Sequence, residues 1–516
     1  MYKMKELRVD EALLASIKGY ENRKAYVSPF AFQPEGTMQE AADLKGQVRR
    51  TKVVASLEEA IKKSGLKDGM TISFHHHFRD GDKVLPMVME IIANMGFKDL
   101  RVAASSFTGA HECMVEYIEK GVVNRIESSG LRGKLAQAVS NGVLASPAVI
   151  RSHGGRARAI VEGDLKIDVA FLGVPSSDCM GNANGVLGKS VCGSLGYAMV
   201  DAQYAKKVVL ITDTLVAYPN HPISIPQTQV DFVVEVEEIG DPNGIMSGAT
   251  RFTKNPKELL IAKNVVKAMI ASGYFVDGFS MQTGSGGAAL AVTRFMKEEM
   301  LKRDIKCSYA LGGITAAFAS LLEEGLVKEI FDVQDFDLGG VASITKNALH
   351  QEISADFYAS PFNKSAAVNK LDFVVLSALE IDRDFNVNVI SGSNGVIRAA
   401  SGGHSDAAAC AKMSIIVAPL LRGRLPIVID RVTTVVTPGE TVDVLVTELG
   451  ITVNPLRQDL KANFEKAGIE LIEMDTLIER AKFLAGEPKK AEFSDEVVAV
   501  VEYRDGSIID VIKKVK

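Results

Sequence analysis

From Val53 onward, short apolar runs alternate with stretches in which apolar positions recur every three or four residues, the pattern of strands alternating with amphipathic helices. Leu57 to Ser64 reads as a helix, Gly65 to Gly69 as a turn, and Met70-Thr71-Ile72-Ser73-Phe74 as a buried strand. After the loop His75-His76-His77-Phe78-Arg79-Asp80-Gly81, Asp82 is placed to cap a helix with Leu85, Val88, Met89, Ile92 and Met95 on one face, ended by Gly96. Such alternation predicts mainly parallel sheets with helices on their faces.

The pattern occurs twice. Lys370-Leu371-Asp372-Phe373-Val374-Val375-Leu376, followed by Glu380, Asp382, Asn386 and Asn388, repeats Lys166-Ile167-Asp168-Val169-Ala170-Phe171-Leu172, followed by Ser176, Asp178, Asn182 and Asn184, at a constant offset of 204 residues. The same offset relates Gly109, Glu119, Gly121, Val123 and Ile126 to Gly313, Glu323, Gly325, Val327 and Ile330, and it places a strand at Val276 to Met281. A loop at Gln282 to Gly287 and a helix from Ala288 to Lys302 follow. The expected fold is α/β, with two tandem similar domains, mainly parallel sheets flanked by helices, and an active site between them. Residues 1–50 are read as an N-terminal extension, 51–242 as the first domain and 243–516 as the second, with the boundary in the turn-rich Asp241-Pro242-Asn243-Gly244. Phe493 to Lys516 reads as a terminal hairpin around Arg504-Asp505-Gly506.

A length of 516 residues accommodates two such domains, and a net charge of −5 gives no electrostatic footprint for nucleic acid. The five cysteines (113, 179, 192, 307 and 410) are dispersed, which suits reduced thiols. No apolar run approaches the roughly 18 residues of a membrane span, and charge interrupts the first residues before a signal-peptide core forms. A cytoplasmic protein is expected.

Candidate chemistry lies in loops beyond the carboxyl ends of strands, where parallel sheets bind ligands. Gln282-Thr283-Gly284-Ser285-Gly286-Gly287 leads into a helix, so its backbone N–H groups can face a phosphate, a carboxylate or a developing oxyanion. Ser391-Gly392-Ser393-Asn394-Gly395 and Ser401-Gly402-Gly403-His404-Ser405-Asp406 add two more glycine-rich loops. The first half instead offers His75, His76 and Arg79, then His153 and Arg156, cationic and donor groups suited to a polycarboxylate. No metal is assigned to the triple histidine, because adjacent strand-end side chains diverge and no carboxylate or cysteine completes a shell.

The residues Gln282 to Gly287, Leu311-Gly312-Gly313-Ile314-Thr315, Ala378-Leu379-Glu380-Ile381-Asp382 and Gly402 to Asp406 resemble loops of the coenzyme A transferase superfamily. With Phe74 to Arg79 and Ser128-Ser129-Gly130-Leu131-Arg132-Gly133, the span from about residue 40 onward resembles the citrate lyase alpha-chain family. That resemblance implies exchange of acetyl for citryl on an acyl carrier protein, with citrate, an acetyl thioester, the carrier and a citryl lyase subunit as partners in a hetero-oligomer. The thioester would ride on a coenzyme A-like prosthetic arm, for which acetyl-CoA can substitute, so no permanently bound cofactor or metal is implied. Gly286, Gly287, Gly402 and Gly403 are assigned as oxyanion donors, His75, His76, Arg79, His153 and Arg156 as citrate contacts, and Gly284, Ser285, Asn394, Gly395 and His404 as contacts to the arm. Ala316 stands where covalent transferases carry a nucleophilic glutamate, leaving Glu380 as the alternative carboxylate. Two other readings remain open: a glutamyl-intermediate transferase or hydrolase for a small monocarboxylate, and a non-catalytic scaffold.

Overall fold

A computed structural model describes residue 12 and residues 51–246, 253–284, 286–486 and 491–516. The N-terminal extension otherwise lies outside the described residues, as does Ser285.

Two large sheets dominate. The first runs, edge to edge, Val53–Val54, Phe232–Glu235, Lys207–Thr212, Val169–Gly173, Thr71–Phe74, Leu100–Ala104, Val123–Ser128, Ala148–Arg151, Phe493–Glu502 and Ile508–Val515, parallel except for the last pair. The second runs His350–Glu352, Ile330–Asp335, Ala310–Ile314, Met281–Thr283, Phe373–Ser377, Met413–Val417, Val444–Val446 and Ile451–Val453, with only its last pair antiparallel. The order from Phe232–Glu235 to Ala148–Arg151 is the order from Val444–Val446 to His350–Glu352, so the internal repeat of the sequence is a repeat of topology.

The residues that keep the offset do the same physical work in each copy. Asp168 Oδ2 accepts the Thr71 amide at 2.8 Å, and Asp372 Oδ2 accepts the Ser280 amide at 2.9 Å. Asp178 Oδ1 gathers the amides of Met180, Gly181 and Asn182, while Asp382 Oδ1 gathers those of Asp384 and Asn386. These loops need their donors satisfied out of water, and one carboxylate does it each time. Gly121 and Gly325 both adopt positive φ (67° and 71°) just after a helix, the left-handed conformation that lets a chain turn out of a helix.

The constant offset fails at the central strand. Ile72 lies beside Val169 and Met281 beside Phe373, so Ile72 and Met281 are equivalent, and the strand expected at Val276 to Met281 is instead Met281–Thr283. Extra residues ahead of this strand shift the register, and Gly109 and Gly313 are consequently not counterparts. The terminal hairpin differs in placement as well: assigned by sequence to the second domain, it adds to the first sheet, pairing Ala499 to Glu502 in parallel with Ala148 to Arg151.

Buried charge locks that addition. Arg151 donates through Nε to Glu502 at 2.8 Å and through Nη1 to Glu127, and Arg158 Nη2 reaches the same Glu502 oxygen at 2.8 Å. Arg151→Met leaves Glu127 short of its closest counter-charge in a dry site, and breaking a buried pair on one side costs about 3–5 kcal/mol. The expected outcome is an unfolding free energy lower by that amount, read from urea curves as a lower midpoint at unchanged slope; an unchanged midpoint refutes a structural role for the pair.

Candidate active site

The carboxyl ends of both sets of central strands meet at one seam, built largely from backbone. His153 N donates to Gly402 O at 2.8 Å, Ser401 N to Ser129 O at 2.8 Å, and Gly130 and Ala400 form a bridge. Asp406 adds a polar clamp, accepting Ser152 Oγ and the Gly154 amide, each at 2.8 Å. Gly154 is required there, since a Cβ would stand 2.1 Å from Ala359 O. The seam leaves a cleft of about 300 Å³, lined from the first unit by His76, Arg79, Arg132, His153 and Tyr197 and from the second by Gln282, Gln334, Tyr358 and the glycine loops.

Arg79 is held in place by strain and packing. Its φ is +53°, its carbonyl accepts Thr108 Oγ1 at 2.8 Å, and its guanidinium lies over the Phe336 ring at 5.1 Å. A non-glycine residue in that conformation costs on the order of 1–3 kcal/mol. Its Nη1 is buried without a partner, and burial together with the neighbouring Arg132 lowers its pKa to about 10. Arg132, at the start of helix Gly133–Ser140, lines the cleft with no ion-pair partner for its side chain among the described residues. With Arg422, whose Nη2 donates to Ala378 O at 3.3 Å, three arginines face a cleft in which Asp80 is the one lining carboxylate among the described residues, its Oδ1 engaged by the Gly109 amide.

The histidines are donors and walls rather than cations. Burial lowers His75 to about 4 and His153 to about 3, and holds His76 and His77 well below the usual imidazole value. His76 stacks on Tyr197 at 5.4 Å, and His153 lies 4.4 Å from the same ring with its Nδ1 unpartnered. His404 is lowered to about 4, chiefly by burial; its Nε2–H donates to Ser377 O at 3.1 Å, so Nδ1 accepts from Thr437 Oγ1 at 2.7 Å.

Several residues assigned from sequence lie elsewhere. Arg156 makes a bidentate pair with Asp201, Nη1 at 2.6 Å and Nη2 at 2.8 Å, and does not line the cleft. His75 sits behind it, its ring 3.9 Å from that of His77. Glu380 is buried and spent: its carboxylate accepts Asn388 Nδ2, the Thr433 amide and Thr433 Oγ1 at 2.8–3.0 Å. Gly395 packs under Phe493, and Asn394 holds Arg398 on the surface, so neither reaches the cleft. Gly284, Gly286, Gly402, Gly403 and His404 do line it, and Gly287 begins the helix behind Gly286. Of these, Gly402 has φ +56° and a Cβ there would meet only the His153 ring, at 3.8 Å, whereas a Cβ on Gly286 would meet Ser377 Oγ at 2.3 Å and one on Gly403 would meet Tyr358 Oη at 2.1 Å. Ala316 starts the helix Ala316–Glu323 with its amide held by Asp337, away from the lining.

Sequence reasoning missed Arg132, Tyr197, Gln282, Gln334 and Tyr358. Arg132 and Gln282 were within reach, inside the Ser128 to Gly133 and Gln282 to Gly287 motifs, although neither was given a role. Gln282 and Tyr358 interact across the second unit, Gln282 Nε2 donating to Tyr358 Oη at 2.8 Å, and no local signal marks that pair.

Residues 50–515 match the family described as "Citrate lyase, alpha subunit (CitF)". The chain belongs to the citrate lyase alpha-subunit family. It is 58% identical over 465 residues to the citrate lyase alpha chain of Haemophilus influenzae, covering 90% of this chain and 93% of that one. The alpha subunit of citrate lyase from Streptococcus mutans, solved in complex with citrate, superposes with a TM-score of 0.91 at 55% identity, over 95% of this chain and 96% of that one. A malonate decarboxylase alpha subunit from Acinetobacter baumannii shares the fold at 16% identity, with a TM-score of 0.63 over 85% of this chain and 93% of that one. Among the described residues, no helix of this family member is long and apolar enough to cross a membrane.

The lowered histidines tie its stability to pH. His153 stays neutral in the folded chain down to about 3 but charges near 6.5 when unfolded, so its contribution is complete above about 6.5 and is lost as pH falls toward 3. Buried Asp332 and Asp335 have raised values and act in the opposite sense, so the histidine effect is read as a difference. His153→Gln is expected to shrink the change in unfolding free energy between pH 7.5 and 5 by about 2 kcal/mol, from 1.36 kcal/mol per pKa unit. Parallel urea curves of wild type and variant at both pH values test this, and an identical change in both refutes the neutral assignment.

Proposed function

We propose that this chain exchanges acetyl for citryl on a carrier-borne thioester, releasing acetate, by direct attack of a substrate carboxylate. The observation that carries this reading is a cleft whose three lining arginines, Arg79, Arg132 and Arg422, make no ion pair among the described residues, against a single lining carboxylate, Asp80, already bonded through Oδ1 to the Gly109 amide. Citrate is ionised at neutral pH, so one carboxylate can attack the acetyl thioester carbonyl without a protein base, forming a mixed anhydride and a free thiolate. The thiolate then attacks the citryl carbonyl of that anhydride, and acetate leaves with the electron pair of the broken C–O bond. The protein supplies position and donors. Arg79 and Arg132 hold the carboxylates that do not react; neutral His76 and His153 offer hydrogen bonds; and amides near Gly286, Gly402 and Gly403 face the developing oxyanion.

The thioester is carried by a coenzyme A-like arm on an acyl carrier protein, and a separate lyase subunit cleaves the citryl group, as the family relationship supports. The glutamyl-intermediate reading is disfavoured by the three hydrogen bonds that occupy Glu380. A scaffold role is disfavoured by buried polar atoms left unpartnered at the cleft, Arg79 Nη1, His153 Nδ1 and Gln282 Oε1, which a ligand would satisfy. Acetate release from acetyl-CoA plus citrate separates the three readings.

Two predictions follow from the arginines and from Glu380. Removing one hydrogen-bond partner of a charged group costs about 1.5–3 kcal/mol, so Arg79→Ala and Arg132→Ala should each lower kcat/KM for citrate by about ten- to a hundred-fold in a folded protein. Values within two-fold of wild type would exclude that arginine from citrate binding. Direct attack also requires both substrates together, giving intersecting double-reciprocal lines, whereas a covalent glutamyl enzyme gives ping-pong kinetics. Borohydride with acetyl-CoA alone should leave activity intact, and inactivation that Glu380→Gln prevents would establish Glu380 as nucleophile.

A further inference from the structure

Behind the cleft wall, three titratable side chains that the proposed reaction does not use converge. Asp332 and Asp335 come from strand Ile330–Asp335 and His350 from the neighbouring strand; all are buried, and one ligand atom from each lies within 4.8 Å of the others. We propose that Asp332, Asp335 and His350 bind one divalent transition-metal cation at the junction of the two α/β units.

The geometry meets what such an ion needs. His350 Nε2 and Asp332 Oδ2 are 3.3 Å apart, and metal–nitrogen and metal–oxygen bonds of about 2.0–2.2 Å in a tetrahedral set place neighbouring ligands about 3.3–3.5 Å apart. The other ring nitrogen of His350 is 3.0 Å from Ser343 Oγ, the outer contact that fixes a ligating imidazole. Each carboxylate is also oriented: Asp332 Oδ1 accepts the Gln334 amide at 2.8 Å and Asp335 Oδ2 the Ser194 amide at 3.2 Å. Asp335 Oδ1 receives no N–H or hydroxyl donor, and its carboxyl is set against that of Asp332, with which it shares a hydrogen bond, so two buried acids that repel when both are charged face one another beside His350. Two carboxylates and one imidazole favour zinc, manganese, iron or cobalt over calcium, which takes six to eight oxygen ligands.

The site would brace the cleft without joining the chemistry. Ser194 belongs to the first unit and also donates through Oγ to Asp332 O at 2.9 Å, and Gln334, between the two aspartates, lines the cleft and donates to His76 O at 3.0 Å. This inference does not depend on the proposed reaction, and its test reads metal and stability rather than turnover.

The untagged full-length chain, purified without chelator, is analysed by plasma mass spectrometry, then stripped with a chelator and titrated with zinc, manganese or cobalt while its melting temperature is followed. The expected result is one transition-metal ion per chain, lost in Asp335→Asn and His350→Gln, and a melting temperature that rises by several degrees on adding metal to the stripped wild type only. Visible d–d bands on adding cobalt to the wild type report an ordered nitrogen–oxygen site even where a variant fails to fold. A wild type without stoichiometric metal and without a melting shift overturns the proposal, as does metal retained in both folded variants, the result that binding at His75 to His77 would give.

Discussion

The cleft exists because two loops from different units share backbone hydrogen bonds. Residues 397–406 are stitched to the first unit at Ser129, Gly130 and His153, with Asp406 clamping Ser152 and Gly154. Main-chain bonds fix relative position more tightly than contacts between long side chains, because few rotatable bonds separate donor from scaffold. Here they bring the carboxyl ends of two sheets face to face, and each unit contributes only part of the lining. The terminal hairpin strengthens the same junction: Arg504, in its turn, donates through Nη2 to Ala359 O of the second unit at 3.1 Å.

Closing the cleft also changes the chemistry of its walls. Loss of water makes His76 and His153 neutral, while Arg79 keeps its charge at neutral pH even with a lowered pKa. Only arginine resists deprotonation under such desolvation, which is why the site's positive charge rests on Arg79, Arg132 and Arg422 and its neutral donors on histidine. An anionic ligand therefore meets fixed cations and donors already stripped of solvent, and little reorganisation remains for the reacting state to require.

Much of this was legible in the sequence, for a reason visible in particular residues. Asp168 and Asp372, or Asp178 and Asp382, bond amides within their own copy, so their spacing survives as a pattern that a reader can align. Strand and helix types followed from local periodicity, and the glycine loops from their position at strand ends. What was not legible depended on distant partners. Arg156 looks like a free cation until Asp201 is brought beside it, and Glu380 looks like a nucleophile until Thr433 and Asn388 close around it. The destination of the terminal hairpin was equally hidden, since an alternating strand pair reads the same on either sheet.

The repeat finally explains why the two halves of the cleft differ. Strand pairing equates Ile72 with Met281, which makes His75 the counterpart of Gly284 and His77 the counterpart of Gly286 in equivalent loops. One copy fills that position with rings and the other nearly empties it. Two copies rich in side chains would fill the space between the sheets, and two copies of glycine would leave a cleft with no cation or ring to orient an anion. On the function proposed above, the rings and cations of the first unit would meet the carboxylates and the open glycine loop of the second would admit the thioester, so the fold's symmetry supplies the cleft and its departure from symmetry supplies two unlike walls.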